Sequence, residues 1–347
     1  MRAWLRASLR PGSSALWAGG LFLLLSAILV ALPLQPADFW WHLKVGEIVL
    51  DEGRIPQADL FSYTVPGRPY IYQAWLSGVV FALVFRLGGP AAVAVLNALL
   101  ICAAYILLWH ACRLESGHSH AATACTFAAI LVSAGNWAAR PQSFSTLLYA
   151  LFLFLLVRLR RKGAGAWWVF PALTALWVNL HGAFILGPAL LGAAAIGEAV
   201  KRLWPGHPFG EPPRATGIGL AAASLSSMLA LLLNPASWRI ANYLQAIGGN
   251  PVIRQSMAEW KPPRPDDPIG AAFYLSLLGL FFFLLYRRHR PGPGEALWLA
   301  GMAWLAFGGV RSIIWYSFAM AILLAQGTAG LPLARPATPR LRQAILN

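Results

Sequence analysis

The chain has 347 residues, of which 58% are hydrophobic and only 11% charged, with a mean hydropathy of +0.60. No soluble globular fold needs that balance, and the solid Leu/Ala/Phe runs do not alternate as barrel strands do, so a bundle of membrane helices is expected. The formal charge of +15 does not point to nucleic acid, because the basic residues sit between apolar runs, where they act as topology signals.

In chain order, Arg2, Arg6 and Arg10 precede the first apolar run, Ala15 to Leu34. That run is about twenty residues, long for the core of a cleaved signal peptide, so a retained signal anchor is expected. Asp38 then opens a helix that ends near Glu52, with Asp38 suited to the N-cap and Gly53 to the position after the C-terminus. Phe39, Leu43 and Leu50 share one stripe of this helix and Lys44, Glu47 and Asp51 another, which is the pattern of a helix lying on a surface. Tyr70 to Leu87 is apolar enough to span and equally suited to lie in the interface. Further spans are expected near 90–112, 120–136, 143–157, 166–180, 183–199, 215–233, 269–286, 294–310 and 312–327. The fold class is therefore all-α: about ten transmembrane helices plus two interfacial amphipathic helices in the first outer loop. Residues 1–330 form one membrane domain and 331–347 a basic cytoplasmic tail. Cys102, Cys112 and Cys125 lie in or beside apolar runs without metal-ligand spacing and read as helix-packing residues.

Charge sets the orientation. With the N-terminus inside and Tyr70–Leu87 in the interface, 17 of the 27 basic residues fall on the inner side, as the Lys/Arg rule favours; with the same N-terminus and a spanning Tyr70–Leu87 the split inverts. A third arrangement, N-terminus outside and Tyr70–Leu87 spanning, gives the same inner total. It is disfavoured because the N-terminal arginines stand unopposed, whereas residues 35–69 mix basic residues with Asp38, Glu47, Asp51, Glu52 and Asp59. The preferred model puts both termini inside and gives two large outer loops, 35–89 and 234–268, which hold eight of the twelve acids.

Polar residues that can carry chemistry gather on the outer side of that topology. Asp38 and His42 are four apart on one helix face, among Phe39, Trp40 and Trp41. A carboxylate near aromatic rings at a membrane surface is expected to have a raised pKa, which suits a general base; the plainer alternative is a helix cap beside an interfacial aromatic belt. Arg140, with Gln142, breaks the hairpin after Asn136. Its planar, permanent charge suits phosphate, or it snorkels at a helix end. His181, in Asn179-Leu180-His181-Gly182, is a ligand contact or a packing histidine. Arg311, after Gly308-Gly309, is a second phosphate contact or an anchor, and Arg254 is a weaker candidate. No phosphate-cradling glycine loop, dinucleotide fingerprint, nucleophile elbow or zinc motif is present.

These residues resemble the GT-C superfamily of polytopic glycosyltransferases, especially the bacterial branch related to protein mannosyltransferases and aminoarabinose transferases. The resemblance covers roughly residues 1–200. Asp38 matches the acid at the start of the family's first outer loop, 38–52 and 70–87 its two surface helices, and Ala139-Arg140-Pro141-Gln142 its second outer loop. The blocks Asp38 to Gly46, Asn179 to Gly182, and Ala258-Glu259-Trp260-Lys261-Pro262-Pro263 also look like those of a group of bacterial membrane proteins. One departure is Gln142, where many relatives carry an acid; it leaves a divalent metal possible but unsupported, and no cofactor is expected. The resemblance implies a polyprenyl-phosphate-linked sugar used at the outer face of the bacterial cytoplasmic membrane, with Asp38 as catalytic base and His42, Arg140, Gln142, His181 and Arg311 binding substrate. The sugar and acceptor stay open. The rival readings are a catalytically silent scaffold of the same fold and, further off, a transporter or flippase of lipid-linked intermediates.

A reporter fused within Ile55–Asp59 is expected to give a non-cytoplasmic signal. A cytoplasmic signal there would take Asp38 away from the outer face.

Overall fold

A computed structural model describes residues 13–34, 38–162, 167–204, 206–209, 214–248 and 250–331. Arg2, Arg6, Arg10 and the basic tail beyond residue 331 lie outside the described residues, as does the side chain of Arg254. Among the described residues the chain is helical, and its only β pairing is an isolated bridge between Ala58 and Pro69. Among the described residues, six segments are long and apolar enough to cross a membrane: Trp75–Ser116, Gln142–Arg161, Gly182–Leu203, Thr216–Leu233, Pro268–Arg287 and Val310–Thr328. The apolar helix α1 (Ser13–Ala31) packs beside them through Leu25 and Leu29.

Helix α2 (Phe39–Glu52) and helix α3 (Trp75–Ser116) form the first outer layer. Gly53 closes α2 in the left-handed conformation at φ 67°, as expected from sequence. Asp38 sits at the N-cap position, but its backbone is helical (φ −71°, ψ −2°) and its side chain caps nothing, which corrects the capping expectation. The carboxylate is thereby left free for other partners.

Helix α3 is broken at Gly88 and Gly89, the latter at φ 60° and ψ −152°, just before Pro90. Proline cannot donate to the preceding turn and glycine tolerates the positive φ, so the break is local in origin. It divides α3 into 75–87, packed on α2, and 90–116, which enters the bundle. The two outer helices cross at Gly46 and Gly78. A Cβ on Gly46 would come within 1.9 Å of the Gly78 carbonyl oxygen, and one on Gly78 within 2.5 Å of the His42 carbonyl oxygen.

Helix α4 (Ser119–Ser133) and helix α5 (Gln142–Lys162) follow. Helix α6 (Val169–Trp177) has only nine residues. At about 1.5 Å per residue it covers less than half of a hydrocarbon core of about 30 Å, so the span expected over 166–180 is a short helix followed by a turn. Helices α7 (Leu186–Leu203) and α8 (Arg214–Ala230) lead to the long connection 234–268, which carries the short helices α9 (Ile240–Gly248) and α10 (Pro251–Ser256). Helices α11 (Pro268–Arg287), α12 (Pro293–Gly308) and α13 (Ile313–Thr328) complete the bundle. Every residue of α13 from Ile313 to Leu323 is buried, so α13 is the axis of the bundle, apolar all round because it meets protein on every side. The three cysteines are free and buried, as packing residues should be.

The glycine crossing generates a contrast. Gly46→Ala should destabilise the protein by about 1–3 kcal/mol and displace α2, because backbone faces backbone there. Gly53→Ala, strained at φ 67° but with nothing within 4 Å of its Cβ, should cost about 1 kcal/mol and leave α2 in place. Thermal melts and a cross-link between α2 and α3 distinguish the two; equal effects on α2 would contradict the crossing.

Candidate active site

One end of the bundle encloses a cavity of about 480 Å³ whose wall includes Asp38, His42, His181, Tyr243, Trp260 and Arg311. Five separate stretches of sequence supply those groups: the start of α2, the turn after α6, helix α9, the 3-10 turn Ala258–Trp260 and the 3-10 turn Val310–Ser312. Of the residues singled out by sequence, Asp38, His42, His181 and Arg311 line the cavity. Arg140 reaches the same cluster from behind through an ion pair. Gln142 does not line it: it is 2% exposed, and its amide donates to the Arg311 carbonyl oxygen at 3.3 Å and to Asn136 Oδ1 at 3.4 Å.

The turn that holds His181 is tied by a buried amide knot. Asn179 Oδ1 accepts from Trp75 Nε1 at 2.8 Å and from Asn234 Nδ2 at 3.1 Å. The Asn179 carbonyl accepts from Leu76 N–H at 3.1 Å. The Val178 carbonyl accepts from Gln73 Nε2 at 2.6 Å and Asn234 Nδ2 at 3.0 Å. Three segments distant in sequence are thus clamped together, and buried amides of this kind are costly to leave unpaired. Beyond the knot, His181 Nδ1 accepts from Ala183 N–H at 3.3 Å and meets Ser145 Oγ at 2.8 Å, and Trp177 Nε1 donates to that same Ser145 Oγ at 2.6 Å. The backbone donor makes Nδ1 the acceptor, so Ser145 donates to it and the ring proton resides on Nε2. Burial, with Arg311 and Arg140 nearby, holds the His181 pKa well below 6.5, and the opposing pull of Asp38 is too small to reverse this. His181 is therefore a neutral donor at neutral pH.

Asp38 is half-exposed on the cavity, with Oδ2 3.7 Å from His42 Nε2. Burial raises its pKa, but the nearby His42, followed by Arg140 and His181, outweighs burial and holds it below the ordinary 3.8. The raised pKa expected from the aromatic surroundings is thereby corrected. Asp38 is an ionised carboxylate across the neutral range, steadied first by His42 on its own helix and then by Arg140 from far along the chain.

Glu259 is the group that sequence reasoning left without a role. Its carboxylate pairs with both arginines, Oε2 with Arg140 Nη1 and Oε1 with Arg311 Nη1 at 3.2 Å. Arg311 also stacks on Trp260, its guanidinium carbon 4.4 Å from the ring centroid, and Arg140 Nε is buried without a partner. A signal for Glu259 existed by elimination. Of the acids in the connection 234–268, Asp267 caps α11 by accepting from Gly270 N–H at 3.2 Å, and Asp266 pairs with Arg264 at 2.6 Å; only Glu259 has no local partner. Glu259 is committed to two arginines, and among the described residues no three His, Cys, Asp or Glu side chains are grouped so as to hold a metal ion.

No protein-family model and no curated protein sequence matches the chain. Solved structures do. The Archaeoglobus fulgidus oligosaccharyltransferase in its apo form superposes with a TM-score of 0.58 at 14% identity over 90% of this chain and 50% of that one. The oligosaccharyltransferase AglB from Archaeoglobus fulgidus, in complex with an inhibitory peptide and a dolichol-phosphate, superposes with a TM-score of 0.56 at 14% identity over 95% of this chain and 53% of that one. The chain thus shares its fold with these oligosaccharyltransferase structures, and among the described residues its apolar helices are those of a multi-pass membrane protein. This chain spans about half the length of those structures.

The His181 environment predicts a pH effect. Its folded-state pKa lies below the unfolded value of 6.5, so on acidification the unfolded chain takes up the proton first, and stability falls from pH 6.5 downward toward the folded-state pKa. His181→Gln should flatten the decline in melting temperature between pH 7 and 5. A decline equally steep in the variant would contradict a buried neutral imidazole.

Proposed function

We propose that the protein is a GT-C-type glycosyltransferase that moves a sugar from a polyprenyl-phosphate donor to an acceptor at the outer face of the bacterial cytoplasmic membrane, with both termini in the cytoplasm. The observation that carries this reading is one cavity at the outer end of the bundle that joins an ionised carboxylate, two histidines and an arginine. The fold shared with oligosaccharyltransferases, one of them solved with a dolichol-phosphate, supports the same class of chemistry.

In this mechanism Asp38 takes the proton of an acceptor hydroxyl. The acceptor oxygen attacks the anomeric carbon, the bond from that carbon to the phosphate oxygen breaks, and the polyprenyl phosphate leaves with the electron pair. Arg311 and Arg140 hold the departing anion, as fixed cations stabilise developing negative charge. The neutral Nε2–H of His181 donates to a sugar or phosphate oxygen, and His42 orients Asp38. Glu259 occupies both arginines before substrate arrives, so the lipid phosphate binds by taking its place.

The pairing of both arginines with Glu259 also favours a second reading, a silent member of the fold in which that triad is structural. Asp38→Asn separates the two. It removes the base while keeping shape, and transfer should fall by about 10²–10⁴-fold with the melting temperature unchanged. Thin-layer analysis of lipid-linked sugars in cells carrying only the variant reads the loss directly, and undiminished transfer would leave the silent reading.

A further inference from the structure

At the opposite end of the bundle lies a larger, more open cavity of about 1150 Å³. Its deep wall is electrically settled. Arg160 pairs with Glu295 and stands 3.7 Å from Glu198, Lys201 pairs with Glu198 at 3.2 Å, and Arg161 pairs with Glu115 at 2.5 Å. The mouth is different. Arg287, Arg288 and Arg290 line it, and among the described residues none of them meets a carboxylate. Arg287 donates to the Gly327 carbonyl at 2.8 Å, which leaves its charge uncompensated. His289, between them on the same wall, has a buried Nε2 without a hydrogen-bond partner.

Two further features give the site its character. Arg288 is the left-handed C-cap of α11 at φ 51°, its backbone N–H donating to the Leu284 and Leu285 carbonyls. Glycine or asparagine is the ordinary residue there, and an arginine in that conformation is strained, so the backbone does not explain its presence. The cavity wall also runs into Phe281 and Leu285, each 57% exposed on α11. Apolar side chains on a spanning helix are where acyl chains lie. Uncompensated cations at the mouth and apolar side chains along the adjoining helix together match one kind of molecule.

We propose that this cavity binds an anionic phospholipid of the adjacent leaflet, with its headgroup phosphate held by Arg288 and Arg290, the His289 ring beside it, and its acyl chains along Phe281 and Leu285. A basic residue near a membrane surface attracts anionic lipid with a strength of about fivefold in affinity, and here two are set at one mouth. The site lies at the far end of the bundle from Asp38 and rests on nothing in the proposed chemistry.

The test uses the full chain reconstituted into phosphatidylcholine bilayers with 20 mol% phosphatidylglycerol, about one lipid in five as in a moderately anionic leaflet, then released for native mass spectrometry. Wild-type protein should retain phosphatidylglycerol in preference to phosphatidylcholine. Arg288→Gly and Arg290→Gln should each lower that preference about fivefold. Arg288→Gly should at the same time melt no lower than wild type, because glycine suits the left-handed cap; that combination separates a lost ligand from a lost fold. Should Arg288→Gly unfold, Arg290→Gln carries the reading alone. An unchanged lipid ratio in the variants overturns the proposal, as does a wild type stabilised by inorganic pyrophosphate that shows no phospholipid preference.

Discussion

The Asp38 end of this protein depends on the contact between Gly46 and Gly78, where two helices meet backbone to backbone. The hydrogen atoms in place of side chains allow α2 to lie close against the first segment of α3. Phe39 and Leu43 are then buried, with Phe39 edge-on to Phe81 at 5.2 Å. Fully burying a phenylalanine contributes about 1.5–3 kcal/mol, enough to hold a short surface helix in one orientation. Asp38 and His42, on the cavity side of that helix, inherit the orientation. A carboxylate that would otherwise sit on a loose interfacial helix is fixed toward a cluster of cations.

That cluster is held with equal firmness from the other side. The amide knot of Gln73, Asn179 and Asn234 sets the turn that carries His181, and the Trp177–Ser145–His181 chain sets its tautomer. Gln142 braces the backbone of Arg311, and Glu259 holds the two arginines together. Polar groups at the Asp38 end therefore come in two kinds. Some fix backbone, and others face the cavity or the arginine cluster beside it. Asp38 and His181 belong to the second kind, with the buried, unpartnered Nε of Arg140 behind them.

Much of this was legible in the sequence. The Gly88-Gly89-Pro90 break, the Gly53 cap and the apolar runs follow from local rules, and the structure has each. So does the separation of charge between the two ends, since arginines near 160 and 288 had to share a side. Residues 166–180 misled because hydropathy measures how apolar a stretch is and does not register that Val178 to His181 leave the helix to join the amide knot. The Asp38 pKa was misjudged because the nearby aromatics were weighed above His42, four residues away, and because Arg140 acts on it only through the fold. Glu259 went unassigned for the same reason, being 119 residues from Arg140 and 52 from Arg311.

The central claim is that Arg140 and Arg311 exist to hold a lipid phosphate in front of Asp38. A structure of the reconstituted protein with a polyprenyl phosphate tests it most directly. The account predicts phosphate density against both guanidinium groups, with the Glu259 carboxylate moved off them and the Asp38 carboxylate still facing the cavity. Phosphate bound elsewhere, with the Arg140–Glu259–Arg311 triad intact, would contradict it.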